Sequence, residues 1–167
     1  DFAFILNLPA LDYGDLPDTY KTLYASQGPS HTVPGTPSLY LGSAVDTETN
    51  GVPSAGADGD DNAGSDDEDG VTFNNPDTWT SGVNADAVTV NVTGSGYLYG
   101  WMDKNNDGDF SYAGEKIITS SGLVTGSINY SLDLTGVFGN NADIELFSRF
   151  RIFETQPLIP GLAYFGD

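Results

Sequence analysis

One short loop carries oxygen-bearing side chains at alternate positions. The sequence DKNNDGDF places carboxylate or amide groups at loop positions one, three, five and seven, which are Asp103, Asn105, Asp107 and Asp109. Calcium takes about six to eight hard oxygen ligands, and alternate side chains of a tight loop converge on one point. We expect Gly108 to make the turn and Phe110 to anchor the loop. The spacing predicts a calcium-binding loop.

This loop differs from an EF-hand in two ways. Position twelve, where an EF-hand has a glutamate, is Gly114, and Glu115 follows one residue later. The preceding residues 97–102 have the pattern of a strand and not of a helix. We therefore predict a calcium loop on a β scaffold, with Glu115 as a further candidate ligand. The alternative is a solvated, Asx-rich turn that binds no metal.

The stretch GADGDDNAGSDDEDGV, residues 56–71, concentrates acids without any Lys or Arg among them. Close exposed carboxylates repel one another by about 1 kcal/mol per pair. An ordered segment would therefore need cations, and divalent cations neutralise the most charge per site. The candidate ligands are Asp58, Asp60, Asp61, Asp66, Asp67, Glu68 and Asp69. The alternative is a flexible acidic loop without bound ions.

Two further segments, DYGDLPD and VDTETNG, contain acids beside apolar residues. The apolar residues could dock these segments on the main fold and bring scattered carboxylates together in space. Shared calcium sites would then draw on Asp12, Asp15, Asp46 and Glu48. One sequence leaves the pairing of these acids open.

The candidate ligand-binding residues are two arginines and the single histidine. Arg149 and Arg151 alternate with apolar residues, so both side chains project from one face of a strand. They could hold a ligand carboxylate through paired hydrogen bonds, or they could pair with the protein's own acids. His31 lies in GPSHTVPG, a Pro- and Gly-rich loop, where we expect a structural or ligand-lining role.

The sequence does not favour catalysis. It has no cysteine, and His31 has no second histidine or recognisable nucleophile to work with. A carboxylate pair such as Asp66 and Asp67 could serve glycoside hydrolysis only if one acid stayed protonated. A metal-rich setting disfavours that protonation. We predict that the protein is not an enzyme.

The composition narrows the class of partner. Five basic residues against 24 acidic ones give a net charge of −19, which disfavours charge-driven binding to nucleic acid or to an anionic membrane. No apolar run approaches the roughly 18 residues needed to cross a bilayer, so we expect no membrane insertion. An apolar fraction of 38% with nine Tyr and nine Phe is enough for a folded core. Without cysteines, calcium can supply the cross-links that disulfides supply elsewhere.

Apolar residues alternate with polar ones in five separate runs. Such runs occupy residues 2–6, 88–92, 97–101, 128–134 and 144–153, separated by Gly, Asn, Asp and Ser clusters. This pattern predicts an all-β protein, an antiparallel, jelly-roll-like β-sandwich that forms one domain over residues 1–167. Residues 27–73 lack the pattern and hold four of the nine prolines and nine of the 24 acids, so we expect a long acidic loop ordered by calcium.

Several motifs together resemble a known family. They are DYGDLPDTY, GPSH, LYLGSAVDTETNGVPSAGADGDDNAGSDDEDGV, W-x-D-x-N-x-DGDF-x-x-x-GE and SRFRIF. In this succession the chain resembles a bacterial extracellular domain family whose members often end in Gly-Glu-Val-Glu-Asp. More closely, it resembles the calcium-dependent peptide-binding domain of the giant repeats-in-toxin adhesins of marine bacteria and Vibrio. The terminal motif is represented here only by Gly166-Asp167.

The resemblance implies a function. It implies a calcium-rich sandwich with several bound Ca²⁺ ions, secreted to the bacterial cell surface as a monomeric module of a larger adhesin chain. There a bound calcium would help to capture a short peptide, the free C-terminus of a protein on another cell. Two alternatives stay open. One is a calcium-dependent carbohydrate-binding module, because an incomplete calcium shell also accepts vicinal hydroxyls of glycans. The other is a calcium-rigidified structural spacer.

Overall fold

A computed structural model describes residues 9–59, 68–137 and 144–157 of the chain. Within these ranges the regular structure consists of strands and single-turn 3-10 helices. The strands are β1 (Ala10–Asp12), β2 (His31–Val33), β3 (Tyr40–Leu41), β4 (Val71–Phe73), β5 (Val83–Met102), β6 (Lys116–Thr119), β7 (Val124–Asp133) and β8 (Ser148–Phe153). The 3-10 turns are Asp18–Tyr20, Tyr24–Ser26, Glu68–Gly70 and Pro76–Thr78. Every strand pair is antiparallel. The all-β prediction is confirmed, while the sandwich arrangement stays a prediction.

The strand β5 is the centre of the main sheet. It is 20 residues long and pairs with β7, β4 and β3 along its first half and with β6 and β8 along its second. The sequence predicted two strands here, separated by a glycine cluster. The structure has one continuous strand instead. Gly94, with φ of +86°, and Gly96 lie within it, where the register of the pairing with β7 shifts. Glycines inside a strand pattern often mark such a bulge rather than a turn.

The last strand is shorter than its apolar run. The alternation predicted a strand over residues 144–153, but β8 begins at Ser148. Leu146 and Phe147 are half-buried against the hydrophobic clusters without belonging to a strand. The apolar pattern there indicates burial and not sheet pairing.

The second half of β5 is buried on both faces. Leu98 and Met102 belong to the main aliphatic core, which also contains Val88, Val90 and Leu132. Tyr99 and Trp101 point the other way and form an aromatic cluster with Leu16, Tyr20 and Phe110. Successive side chains of a strand alternate between faces, so one strand serves two clusters. The aromatic cluster connects the main sheet to the loop that follows β5.

Short strands and polar contacts hold the described part of the early segment 27–73. The strand β1 pairs with β2, and Leu11 forms an isolated bridge with Glu48. Ser54 N–H donates to the Asp15 carbonyl at 2.9 Å. Calcium ordering of this segment stays a prediction, because residues 60–67 lie outside the described ranges, as does the run 2–6.

Candidate metal centre and ligand groove

Three acids of the predicted calcium loop come together after β5. One carboxylate oxygen from each of Asp103, Asp107 and Glu115 lies within 4.8 Å of the other two. Asp103 and Glu115 are fully buried, whereas Asp107 is exposed. This cluster could hold a metal ion, with Asp107 at the solvent side.

The loop is folded around Asp103. Its Oδ2 accepts hydrogen bonds from Gly108 N–H at 2.9 Å and from the Tyr20 hydroxyl at 2.7 Å. Its Oδ1 accepts from Asp107 N–H at 3.2 Å. Gly108 makes the turn with φ of +87°, a left-handed conformation that glycine adopts without steric cost. The local spacing D-x-N-x-D-G therefore produces the tight loop that the sequence suggested.

Glu115 has one buried carboxylate oxygen without a partner among the described residues. Its Oε2 accepts a hydrogen bond from Tyr112 N–H at 3.0 Å, but its buried Oε1 has no hydrogen bond to any residue that the structure describes. Burial raises the pKa of Glu115, and repulsion from the loop aspartates raises it further. An unpartnered buried carboxylate oxygen costs folding free energy. A cation among the three carboxylates would give that oxygen its partner, so these residues fit a metal ion.

The remaining predicted loop ligands support Asp107 or lie outside the three-acid cluster. Asn105 Oδ1 accepts from Asp107 N–H at 3.0 Å, and its Nδ2 donates to Asp107 Oδ2 at 2.8 Å. Asp109 Oδ1 accepts from Ser111 N–H at 2.6 Å, and hydrogen bonds from Ser111 lower the pKa of Asp109. Calcium loops commonly use the backbone carbonyl at this seventh position. Metal ligation by Asn105 and Asp109 stays a prediction.

Sequence reasoning missed the role of Tyr20. It lies 83 residues before Asp103, yet its hydroxyl holds that carboxylate. Its ring packs against Phe110 and Phe147, with centroids 4.9 and 5.3 Å away. Burial raises the pKa of Tyr20, which therefore stays a hydrogen-bond donor. No spacing along the sequence indicates this long-range contact.

Substitution of the exposed residue Asp107 tests whether the three-acid cluster binds calcium. We expect Asp107→Ala to destabilise the calcium-loaded protein more than Asp77→Ala, because Asp107 belongs to the acid cluster. Asp77 is exposed in the 3-10 turn Pro76–Thr78 and serves as the matched control. The expected difference is about 1–3 kcal/mol in the free energy of unfolding, measured by denaturant titration. Equal losses for the two variants would contradict a metal role for Asp107.

A second group of acids lies beside β1. Glu48 Oε2 accepts a hydrogen bond from Tyr13 N–H at 3.0 Å. Burial raises the pKa of Glu48 to about 8, helped by a hydrogen bond with Asp46 and by repulsion from Asp46 and Asp12. Two carboxyl groups can share a hydrogen bond only when a proton lies between them, and a cation can take the place of that proton. The structure thus brings together three of the four acids that the sequence grouped here.

The raised pKa of Glu48 predicts that the stability of the metal-free protein depends on pH. A raised folded-state pKa means that the native state binds more protons, so stability falls as pH rises from about 5 to about 8. We expect the melting temperature of the wild type in chelator to fall across this window relative to that of Glu48→Gln. Glu145→Gln, at an exposed glutamate, is the control. A pH profile of Glu48→Gln parallel to the wild type would contradict this prediction.

The other predicted metal ligands contact nearby donors. Asp15 Oδ2 accepts from Gly59 N–H at 3.0 Å, and Asp58 Oδ1 accepts from the Ser54 hydroxyl at 2.7 Å. Asp69 accepts from the amide and hydroxyl of Ser43, and these bonds lower the pKa of Asp69. None of these three belongs to the acid cluster around Asp103. Asp60, Asp61, Asp66 and Asp67 lie outside the described residues, as does the side chain of Glu68.

The three predicted ligand-binding residues line one groove. This groove, with a volume of about 1420 Å³, is lined by β8 and by residues from the two early segments 12–16 and 29–45. Arg151 Nε donates to His31 Nε2 at 3.1 Å, and its Nη2 donates to the Ser30 carbonyl at 3.1 Å. The Arg149 guanidinium lies 5.5 Å from the centroid of the Phe110 ring. Arg149 therefore connects the groove to the metal loop.

The aromatic pair of β5 also lines the groove. Tyr99 and Trp101 stack with centroids 6.1 Å apart, and both are buried. The Tyr99 hydroxyl is buried, with no hydrogen-bond partner among residues 9–59, 68–137 and 144–157. Phe147 lines the same groove and packs on Tyr20 at the metal loop. The groove and the candidate metal centre thus share one set of aromatic side chains.

Comparison with protein-family models, with curated proteins and with solved structures finds no match for this chain. The family resemblance stated above therefore stays an expectation from the motifs alone. No helix in the described part of the chain is long and apolar enough to span a bilayer.

Proposed function

We propose that this chain is a non-catalytic, calcium-dependent ligand-binding module of a large bacterial surface adhesin. Its preferred ligand is a short peptide with a free C-terminal carboxylate. The single observation that supports the calcium requirement is the buried Glu115 oxygen beside Asp103 and Asp107, which lacks a partner in the described part of the chain. The adhesin context rests on the resemblance of the motifs.

The chemistry of the acid cluster favours calcium over other metals. The clustered side chains are all carboxylates, and the sequence has no cysteine and one histidine, which disfavours zinc and copper. Magnesium needs near-ideal octahedral geometry and keeps most of its water, whereas calcium accepts irregular oxygen shells. The exposed Asp107 leaves the solvent side of the site open to water or to a ligand oxygen.

The groove supports a peptide ligand. Its walls are largely apolar and aromatic, and its polar lining includes Arg149 and Arg151. Ligand sites commonly combine apolar walls with a few polar groups that fix orientation. Two of the five basic residues of a chain with net charge −19 line this groove. An extended peptide with an apolar side chain and a terminal carboxylate matches this combination.

A titration of the calcium-loaded protein tests the proposal. The ligands are N-acetylated pentapeptides that differ in their final residue, the amidated twin of each peptide, and a panel of monosaccharides. We expect the free acids to bind at least about tenfold more tightly than their amides, because the amides lack the charged acceptor. Calorimetry measures the affinities. Binding of sugars alone would favour the lectin alternative, and binding of neither would favour the spacer.

A substitution at Arg151 tests whether the peptide binds in the groove. Arg151→Gln is expected to weaken binding of the best free-acid peptide by at least about tenfold, since it removes a cation from the groove. Lys116→Gln, which removes a positive charge from an exposed position on β6, is the control. Equal affinities for Arg151→Gln and Lys116→Gln would place the peptide outside the groove.

A further inference from the structure

Asp103 bonds to both walls of the groove beside β8. Its backbone N–H donates to the Phe147 carbonyl at 2.9 Å, directly before β8 begins. Its carboxylate accepts a hydrogen bond from the Tyr20 hydroxyl at 2.7 Å. Tyr20 ends the 3-10 turn that follows the early segment 12–16. Phe147 and segment 12–16 both line the groove, so one candidate metal ligand joins its two sides.

The turn that carries Tyr20 is fixed by its own hydrogen bonds. Asp18 Oδ1 accepts from Leu23 N–H at 2.9 Å, and Asp18 Oδ2 accepts from the Ser26 hydroxyl at 2.7 Å. The Tyr20 side chain is 2% exposed. Rigid elements and packed side chains carry energetic coupling between sites. A displacement of Tyr20 would therefore pass to segment 12–16 instead of being absorbed by the turn.

The three acids of the candidate metal centre are separate from the groove. Among the described residues that line the groove, none is Asp103, Asp107 or Glu115. An ion bound by these carboxylates would therefore act on a peptide in the groove through the residues between the two sites. Tyr20 is one such residue, because its hydroxyl bonds to Asp103 and its ring packs on Phe147.

We infer that Tyr20 is a positioning residue through which the metal centre sets the width of the peptide groove. The inference rests on the proposed peptide function. When the centre is loaded, Asp103 is held by the ion, and Tyr20 and Phe147 are held with it. When the centre is empty, the three carboxylates repel one another and the two walls can separate. Peptide affinity then rises with calcium, and by linkage calcium affinity rises with peptide by the same factor.

Tyr20→Phe tests the role of the hydroxyl. The substitution keeps the ring but removes the hydrogen bond to Asp103. Calorimetry measures the dissociation constant of the best free-acid pentapeptide in chelator and in saturating calcium, and the ratio of the two is the coupling factor. We expect a factor of at least about ten for the wild type and one at least about threefold smaller for Tyr20→Phe. Tyr24→Phe, which removes an exposed hydroxyl from the next 3-10 turn, is the matched control.

Hydrogen exchange tests the same link without a peptide. Mass spectrometry compares amide exchange in β8 with that in β7, each in saturating calcium and in chelator. The strand β7 pairs with β5 in the main sheet and reports the general gain in stability. We expect calcium to slow exchange in β8 at least about threefold more than in β7, both in the wild type and in Tyr24→Phe. In Tyr20→Phe this difference between the strands should disappear.

The outcomes separate this inference from the proposed function. A merely structural role for Tyr20 would lower stability but leave the coupling factor and the exchange difference at their wild-type values, and either result would overturn the inference. If no peptide binds, the proposed function fails, and the exchange difference alone decides whether Tyr20 links the two sites. If Tyr20→Phe does not fold, Phe147→Leu replaces it, because it shortens the ring that Tyr20 contacts. A wild-type exchange difference in Phe147→Leu would overturn the link.

Discussion

Excess chelator is expected to lower the melting temperature of the calcium-loaded protein by about 5–10 °C for one site. An ion that binds only the native state stabilises it by about 2.7 kcal/mol at a concentration a hundredfold above its dissociation constant. For a domain of this size, 1 kcal/mol corresponds to roughly 2–4 °C. Asp103, Asp107 and Glu115 would repel one another once the ion leaves. Further sites would enlarge the loss.

The measurement is a set of thermal melts followed by circular dichroism. The protein is melted in excess calcium, in chelator, and in chelator with excess magnesium. Calcium added back should restore the melting temperature, and magnesium should restore less of it, because magnesium keeps its hydration shell. An unchanged melt in chelator would exclude a stabilising metal and with it the calcium dependence that we propose.

Glu115→Gln is expected to change stability in opposite directions with and without calcium. Without metal, the substitution removes a buried charge and lets an amide donate hydrogen bonds toward the carboxylates of Asp103 and Asp107. The metal-free protein should gain about 1–3 kcal/mol in its free energy of unfolding. With calcium, the site loses a charged ligand, and the affinity for calcium should fall at least about tenfold.

Urea titrations of wild type and variant, each with calcium and with chelator, measure this reversal. Glu154→Gln, at an exposed glutamate on the segment after β8, controls for the loss of one negative charge. A polar role for Glu115 unrelated to metal predicts a different result. In that case the variant would lose stability in chelator and keep the full stabilisation by calcium.

The parts of the site that could be predicted are local in sequence. The loop around Asp103 follows from side chains two residues apart and from Gly108, whose left-handed φ permits the turn. A strand such as β7 follows from alternation because only one of its faces is buried. Both features depend on neighbours that the sequence itself places side by side.

The parts that could not be predicted depend on tertiary contacts. Tyr20 binds Asp103 across 83 residues, and Arg151 donates to His31 across 120. Alternation shows that Arg151 projects from a given face of its strand but not what covers that face. The glycines of β5 were equally ambiguous, since a glycine can end a strand or bend it. The apolar groove beside β8 arises from segments far apart in the chain.

The length of β5 has a consequence for how the protein is made. Its partners range from Tyr40 in β3 to Phe153 in β8, so the sheet joins early and late parts of the chain. While the chain emerges from a ribosome, the second half of β5 can pair with β6 but lacks its other hydrogen-bonding neighbour until β8 follows. Assembly of the sheet therefore waits until the residues up to Phe153 have been made. Such long-range pairing makes folding slow, and we expect premature termination before β8 to yield an aggregation-prone fragment.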